Sequence, residues 1–275
     1  MIEILREKAA LIRHDIIDMI YNSDISSGHF GGSLSACEII AALYWSEMKV
    51  DPSNPAWEDR DRFILCKGHS VPVVYAALAH KGYFDRAELR SYREKDSRLQ
   101  GHPDCRKTPG LDASSGSLGQ GLSVALGTAL GLRQQMKQSR VYALLSDGEL
   151  QEGMVWEAAM AAAHYRVSNL VALVDRNGLQ VDGNTESVMS LGNLEDKLRS
   201  FGWSVQNVDG HNVEEIVEAL QNARKVTDKP SVIICATVKG KGVSFMENKI
   251  EWHCCNMNCD QFDSAMKDLL CKESE

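Results

Sequence analysis

The sequence has no long apolar run, few prolines and no excess of positive charge. None of its uninterrupted apolar stretches approaches the ~18 residues that a membrane span needs, and only six of the 275 residues are proline. A formal net charge of −8 argues against nucleic acid or an anionic membrane as a partner. The first eight residues mix charges into apolar positions, which predicts a helix and not a signal peptide.

The eight cysteines do not form a disulfide framework. Cys37, Cys66 and Cys235 stand singly in apolar or helical contexts, which is typical of reduced thiols in a cytoplasmic protein. Cysteines crowd only at His253-Cys254-Cys255, with Cys259 shortly after. A zinc site is the alternative there, but paired Cys-x₂-Cys spacing is absent. We therefore expect a loop with free thiols.

Strand and helix patterns alternate through most of the chain. Apolar runs near 62–66, 141–145, 170–174, 204–208 and 231–237 alternate with helical patterns near 151–164, 193–200 and 213–225, after helices at 3–21 and 34–45. This alternation predicts an α/β fold, a parallel β-sheet with helices on both faces. No repeat or linker divides the chain, so we expect a single domain over 1–275, with residues 254–275 as a variable C-terminal tail.

Polar residues follow two of the predicted strands at the point where each strand ends. One apolar run ends at Asp147-Gly148, and another ends at Asp175-Arg176-Asn177. Such ends lie side by side at one edge of a parallel sheet, where open α/β folds bind ligands. Asp and Asn oxygens suit Mg²⁺ bound to phosphate, and Gly148 lets the backbone approach an anion. The pattern predicts a magnesium–diphosphate site; the alternative is an Asp cap and an Asn-Gly turn.

Four histidines stand in glycine-rich or turn-forming loops, which are predicted to lie near strand ends. They are His29, His69, His102 and His253. A single loop histidine is usually a surface residue, but four beside a diphosphate site favour another interpretation. Imidazoles transfer protons near neutral pH and hydrogen-bond to hydroxyls and phosphates. We therefore expect these loops to take part in binding or proton transfer.

Five segments resemble the N-terminal, diphosphate-binding domain of transketolase in their order and approximate spacing. They are residues 27–35, 61–69, 100–103, 116–121 and 147–153. The spacing from Asp147-Gly148 to Asn177 also resembles the thiamine diphosphate signature, with Ser146 where that family usually has Gly. The resemblance runs roughly from residue 5 to 253.

The resemblance implies a thiamine diphosphate-binding fold and a role for each matching residue. The metal, Mg²⁺ (or Ca²⁺ or Mn²⁺), would be held by Asp147, Asn177 and the Leu179 carbonyl. Thiamine diphosphate would be bound by His69, Gly116, Leu118, Gly148, Glu149, Asn177, Val181 and His253. The catalytic histidines, which would bind donor hydroxyls and move protons, are His29, His102 and His253.

Other matching positions imply contacts outside the cofactor site. Glu152 and Glu157 match acidic residues of the family's subunit interface; the alternative is a pair of solvated helix carboxylates. His164 and His211 match positions that we interpret as structural, at a helix end and a helix entry. After His253 this chain has cysteine where the family usually has glycine.

The chain is less than half as long as the family's full enzyme. Too few residues follow His253 to form the pyrimidine-binding domain, which supplies the glutamate that activates the cofactor. The resemblance therefore implies the N-terminal subunit of a split transketolase, a transferase of carbohydrate (pentose phosphate) metabolism. It would move a two-carbon ketol unit from a ketose, expected to be phosphorylated, to an aldose. It would be active only with a C-terminal subunit, in a heterotetramer with two copies of each chain.

Two other classes of function stay open at this point. One is a subunit of another thiamine diphosphate enzyme, either a 2-oxo acid dehydrogenase α-chain or a deoxyxylulose phosphate synthase-like protein. The loops at His29, His69 and His102 favour transketolase over the first, and the absence of downstream domains disfavours the second. The other class is a non-catalytic binding protein, against which the intact Asp147 and Asn177 argue.

Overall fold

The computed structural model describes residues 1–23 and 26–272, and five parallel strands form its centre. Across these residues the strands are β1 (Ser27–Gly28), β2 (Arg62–Leu65), β3 (Val141–Ser146), β4 (Leu170–Arg176), β5 (Leu179–Gln180), β6 (Gly183–Asn184), β7 (Ser204–Asp209), β8 (Ser231–Ala236) and β9 (Cys255–Asn256). The α-helices are α1 (Ile2–Tyr21), α2 (Gly31–Leu34), α3 (Cys37–Ala42), α4 (Val71–Lys81), α5 (Gly121–Gln134), α6 (Gly153–His164), α7 (Thr185–Val188), α8 (Leu194–Ser200), α9 (Val213–Lys225) and α10 (Cys259–Lys272).

The main sheet has the strand order β2-β3-β4-β8-β7, and every neighbouring pair is parallel. Ser146 at the end of β3 lies opposite Asp175 of β4. The loops that leave these two strands therefore start side by side at one edge of the sheet. The predicted α/β class with a parallel sheet is confirmed.

Each face of the sheet is covered by its own layer of helices. On β3, Tyr142 and Leu144 belong to one apolar cluster, and Ala143 and Leu145 belong to the other. The first cluster includes side chains of α1, α3, α4 and α9, whereas the second includes those of α5, α6 and α8. Burial on both faces explains why the strands are continuous apolar runs and not alternating patterns.

The structure divides the helix that the sequence predicts over 34–45. The chain forms α2, then α3, then a π-helical turn over Leu43–Glu47. Ser35 lies between α2 and α3, and its hydroxyl donates to Asp175 Oδ2 (2.6 Å). Glu47 ends the π-helical turn and accepts a hydrogen bond from the Tyr142 hydroxyl (2.6 Å). These two bonds tie the segment to the sheet on either side of α3.

The C-terminal segment contains β9 and α10, which pack onto the N-terminal part of the domain. Tyr21 of α1 stacks on Phe262 of α10 with ring centroids 4.1 Å apart, and Ala265 and Leu269 are buried. Residues 273–275, the end of the predicted tail, lie outside the described range. Of the helices in the described part of the chain, none has the length and apolar content to cross a membrane.

Candidate active site

Asp147 directly follows β3 and is buried at the carboxyl-end edge of the sheet. Its Oδ2 accepts a hydrogen bond from the Gly178 amide (2.6 Å), and its Oδ1 accepts one from the Gly148 amide (2.9 Å). Burial, and then the nearby Asp175 carboxylate, raise the pKa of Asp147 to about 6. A cation placed here would oppose both effects and favour the ionised carboxylate.

Asn177 lies after the end of the neighbouring strand, β4. Its Oδ1 accepts a hydrogen bond from the Leu179 amide (3.1 Å), and the Gly178 amide between these two residues is the one that donates to Asp147. The loop therefore brings the predicted metal ligands, which are Asp147, Asn177 and the Leu179 carbonyl, to the same edge of the sheet. Carboxylate, amide and carbonyl oxygens form a donor set that suits a hard divalent cation.

A buried ion pair lies beneath this edge and ties the surrounding loops together. Lys67 Nζ donates to the Asp175 carboxylate and to the Gly32 carbonyl, the latter at 2.7 Å. The same carboxylate accepts hydrogen bonds from the hydroxyls of Ser35 and Thr237. Asp175 thus connects segments that follow β2, α2 and β8. Burial alone would raise its pKa, but the Lys67 charge and the hydrogen bonds outweigh burial and lower it.

The four predicted histidines converge into one cluster. The ring centroid of His29 lies 5.0 Å from that of His69, 5.5 Å from that of His253 and 6.4 Å from that of His102. The rings of His69 and His253 are 5.2 Å apart and stacked. Part of this convergence comes from the antiparallel pairing of β1, which ends directly before His29, with β9, which begins shortly after His253. Residues far apart in the sequence are thereby brought together.

Lys239 connects the histidine cluster to the predicted metal loop. It is buried, and its Nζ donates to the Leu179 carbonyl (3.2 Å) and to His253 Nδ1 (2.8 Å). Burial lowers the pKa of Lys239 to about 8. Lys239 is not among the site residues predicted from the sequence. The available signal was a lysine next to a glycine shortly after a strand end, in the segment Thr237-Val-Lys-Gly240.

The surroundings of the histidine cluster disfavour the protonated form of each ring. The pKa of His29 is lowered to about 4, that of His69 to about 2 and that of His253 to about 3. The pKa of His102 is lowered as well. Burial is the main cause in each case, and neighbouring imidazoles and basic side chains add to it. Neutral rings present one donor and one acceptor each, so the cluster is suited to sugar hydroxyls.

The glycine-rich loop over 116–121 packs beside this cluster. A Cβ atom on Gly116 would lie 3.3 Å from the His102 ring. The Gly119 amide donates to Glu149 Oε1 (3.0 Å), and the amide at the end of β3 donates to Oε2 (3.3 Å). Burial raises the pKa of Glu149 to about 7. Glu149, predicted to bind the cofactor, thus holds the loop that carries Leu118.

Several predicted residues are exposed in this single chain. Val181, at the turn between β5 and β6, is 60% exposed. Glu152 precedes α6 and Glu157 lies on it, and Glu152 is exposed, as is His164 at the end of the helix. Among the described residues, which include the Cys254 segment, no group of three or more His, Cys, Asp or Glu side chains could hold a metal ion.

The residues present fit a divalent cation with a bound diphosphate. A cation would be bound by the buried Asp147 carboxylate, and its charge would lower the raised pKa of that group. An anion would be bound beside His69, at a position that a side chain on residue 32 would occupy. A Cβ atom on Gly32 would lie 2.8 Å from Ser70 Oγ and 3.7 Å from His69 Nε2. Ser70 Oγ is buried and has no hydrogen-bond partner within the described residues. A hydroxyl of this kind matches an acceptor oxygen such as that of a phosphate.

Comparison with known protein families gives one match that covers most of the chain. Residues 5–273 match the family described as "Transketolase, thiamine diphosphate binding domain". The chain is 44% identical over 265 residues to a 6-deoxy-6-sulfo-D-fructose transketolase subunit of Clostridium sp. (strain MSTE9), with 96% of each chain covered. It is 37% identical over 268 residues to one of the subunits of an apulose-4-phosphate transketolase of Phocaeicola vulgatus, with 98% of this chain and 94% of the relative covered.

Solved structures of transketolases have the same fold. A transketolase from Pichia stipitis superimposes with a TM-score of 0.91 at 29% identity, over 97% of this chain and 40% of its own. The enzyme from Campylobacter jejuni also gives 0.91 at 29% identity, over 98% of this chain and 43% of its own. The chain thus spans about two fifths of these solved enzymes, but nearly the whole length of the two relatives above.

Proposed function

The chain belongs to the transketolase family, as its thiamine diphosphate-binding domain, and from that premise we propose that it is the N-terminal subunit of a split, metal-dependent transketolase. The observation that carries the proposal is the Lys239 side chain, which joins the Leu179 carbonyl, in the loop predicted to bind the metal, to the cluster of four histidines. The near-complete match to two transketolase subunits supports the division into two chains.

In this proposal the chain's own residues hold the cofactor and its metal. Asp147, Asn177 and the Leu179 carbonyl bind Mg²⁺, and His69 and the Gly148 amide contact the diphosphate. Gly116 and Leu118 support the pyrimidine side, and Val181 lines the thiazolium slot. The chemistry that thiamine diphosphate supplies when bound is the cleavage and formation of a carbon–carbon bond next to a carbonyl.

The histidines orient the sugar and move protons. His29, His102 and His253 lie within one cluster and are neutral near pH 7, since burial lowers their pKa values. The rings of His29 and His102 can each accept a proton from a hydroxyl at one nitrogen while the other nitrogen donates a hydrogen bond, whereas His253 accepts from Lys239 at Nδ1 and can donate from Nε2 to a sugar oxygen. Lys239 holds one ring in place, because its ammonium donates to His253 Nδ1.

A second chain completes the active site. Two relatives that are named as transketolase subunits are matched over 96% and 94% of their own length, which supports a partner subunit that supplies the pyrimidine-binding domain. Helix α6, which carries Glu157, also exposes Met154 and Met160, and these apolar side chains support a contact there. We expect two copies of each subunit. The free thiols of the described cysteines suit the reducing cytoplasm, where we expect the complex to work.

We propose that the donor is a ketose with an anionic group at the end away from its carbonyl. One relative is named for a sulfonated fructose and another for a phosphorylated sugar, apulose-4-phosphate. Both names specify a sugar that carries a strong anion. A sulfonate or a phosphate therefore defines the substrate class, in the pentose phosphate reactions or in a parallel sugar pathway.

A two-subunit assay tests the proposed function. The C-terminal subunit and this chain are mixed with Mg²⁺ and thiamine diphosphate, and ketol transfer to an aldose is followed by mass spectrometry. The donors are a 6-sulfo ketose, a 6-phospho ketose and the matching neutral ketose. We expect turnover with at least one anionic donor and its loss in Asp147→Ala. The matched control is Asp228→Ala, at an exposed aspartate. Absence of transfer from every donor would refute the proposal.

A further inference from the structure

His211 lies outside the histidine cluster but is linked to it through the backbone. We propose that His211 is a positioning residue. Glu38 and Arg13 hold its ring in a single tautomer, and the ring in turn fixes the loop that carries Lys239. From the sequence, His211 is predicted only to be a structural residue at a helix entry; in the structure it stands two positions before α9.

Three hydrogen bonds in series carry the inference. Arg13 Nη2 donates to Glu38 Oε1 (2.6 Å), and both side chains are about one tenth exposed. The other oxygen of Glu38 lies 3.0 Å from His211 Nδ1. On the far side of the ring, the Val238 amide donates to His211 Nε2 (2.9 Å).

The chemistry of these partners assigns the tautomer. A backbone amide can only donate, so Nε2 of His211 must be the unprotonated nitrogen. Nδ1 then carries the hydrogen and donates it to the Glu38 carboxylate, which in turn is held by Arg13. The ring acts as a rigid spacer between a buried ion pair and one backbone amide.

That amide belongs to the residue before Lys239. The Lys239 side chain is a flexible four-carbon stem, yet its Nζ makes two bonds, to the Leu179 carbonyl and to His253. Fixing the backbone at Val238 restricts where this stem starts. The residue on the other side of Lys239 is fixed as well, because the Gly240 amide donates to the Gly31 carbonyl (3.0 Å).

The local helix does not require the His211 ring. The N-cap of α9 is Asn212, whose side-chain oxygen accepts hydrogen bonds from the amides of Glu214 and Glu215. His211 contributes its own amide to Asp209 Oδ1 (2.9 Å) through the backbone alone. The two ring nitrogens of His211 therefore bond to Glu38 and to the Lys239 loop, and neither caps α9.

Lysine labelling in the full-length chain tests the proposal without any activity measurement. Trace acetylation with acetic anhydride, read by peptide mass spectrometry, compares Lys239 with Lys67, an internal control bonded to Asp175 and Gly32. In His211→Leu we expect the Lys239 rate to rise at least roughly fivefold relative to Lys67, the change expected for one lost hydrogen bond. His211→Gln, which retains a donor and an acceptor, should restore the slow rate.

Equal labelling of Lys239 in wild type and His211→Leu would overturn the proposal, as would a parallel rise at Lys67. If the leucine variant does not fold, ¹⁵N NMR of the wild-type chain decides the matter. We expect His211 to carry its proton on Nδ1 and none on Nε2. A proton on Nε2 would contradict the hydrogen bond from the Val238 amide and overturn the proposal. Neither readout depends on ketol transfer, so the function proposed above stands or fails separately.

Discussion

Replacing Glu38 with glutamine should strongly destabilise the chain, because it removes the carboxylate to which the buried Arg13 guanidinium donates its hydrogen bond. Burial alone would raise the pKa of Glu38, but the Arg13 charge and then His211 outweigh burial and lower it from 4.5 to about 2. That decrease corresponds to about 3 kcal/mol of stabilisation by the ionised form. Breaking a buried ion pair from one side typically costs a similar amount, about 3–5 kcal/mol.

The destabilisation caused by Glu38→Gln should decrease as the pH falls. The folded state lowers the pKa of Glu38, so its stabilisation is complete above the unfolded value of about 4.5 and disappears as pH falls towards 2. The free energy of unfolding, measured with urea, should therefore differ by about 3 kcal/mol between wild type and Glu38→Gln at pH 7. The difference should narrow between pH 4.5 and pH 3.

An exposed glutamate provides the matched control. Glu3→Gln makes the same chemical change at a side chain that is 88% exposed and only loosely paired with Arg6. It should leave the free energy of unfolding nearly unchanged. A difference below about 1 kcal/mol for Glu38→Gln at pH 7, or one that persists undiminished at pH 3, would refute the reasoning.

Three further predictions concern the site itself. His29→Ala and His102→Ala should fold normally but lose roughly 10²-fold or more in ketol-transfer rate with the partner present. Unchanged rates would show that neither histidine takes part in binding or proton transfer. In the cofactor-free chain, His29, His69 and His253 should stay neutral from pH 7 to 5 because burial lowers their pKa values; protonation near pH 6.5 by ¹⁵N NMR would contradict this. The purified chain alone should show no ketol transfer until the C-terminal subunit is added, and turnover by the lone chain would contradict the split site.

The sequence was sufficient to predict the sheet edge and the loops that meet there. Continuous apolar runs ending at Asp147 and Asp175 indicated buried parallel strands, and the geometry of such sheets places their ends together. The histidines were identifiable because glycine and turn residues surround them. These signals are local, so a single sequence carries them.

Contacts that join distant segments could not be predicted in the same way. Lys239 and Lys241 both stand beside glycines in sequence, yet Lys239 is buried and Lys241 is not. Lysine is rarely buried without a partner, and the partners of Lys239, Leu179 and His253, come from two other loops. The role of Glu149 was similarly hidden, since only the folded chain brings the Gly119 amide to its carboxylate.

The most direct measurement is isothermal calorimetry of thiamine diphosphate binding to the complex of this chain with its C-terminal subunit. We expect binding that requires Mg²⁺, that disappears in Asp147→Ala because a charged ligand is removed from the metal, and that is unchanged in Asp228→Ala. Equal affinity in wild type and Asp147→Ala, or full affinity without a divalent metal, would contradict the central claim that this sheet edge holds the metal and the diphosphate.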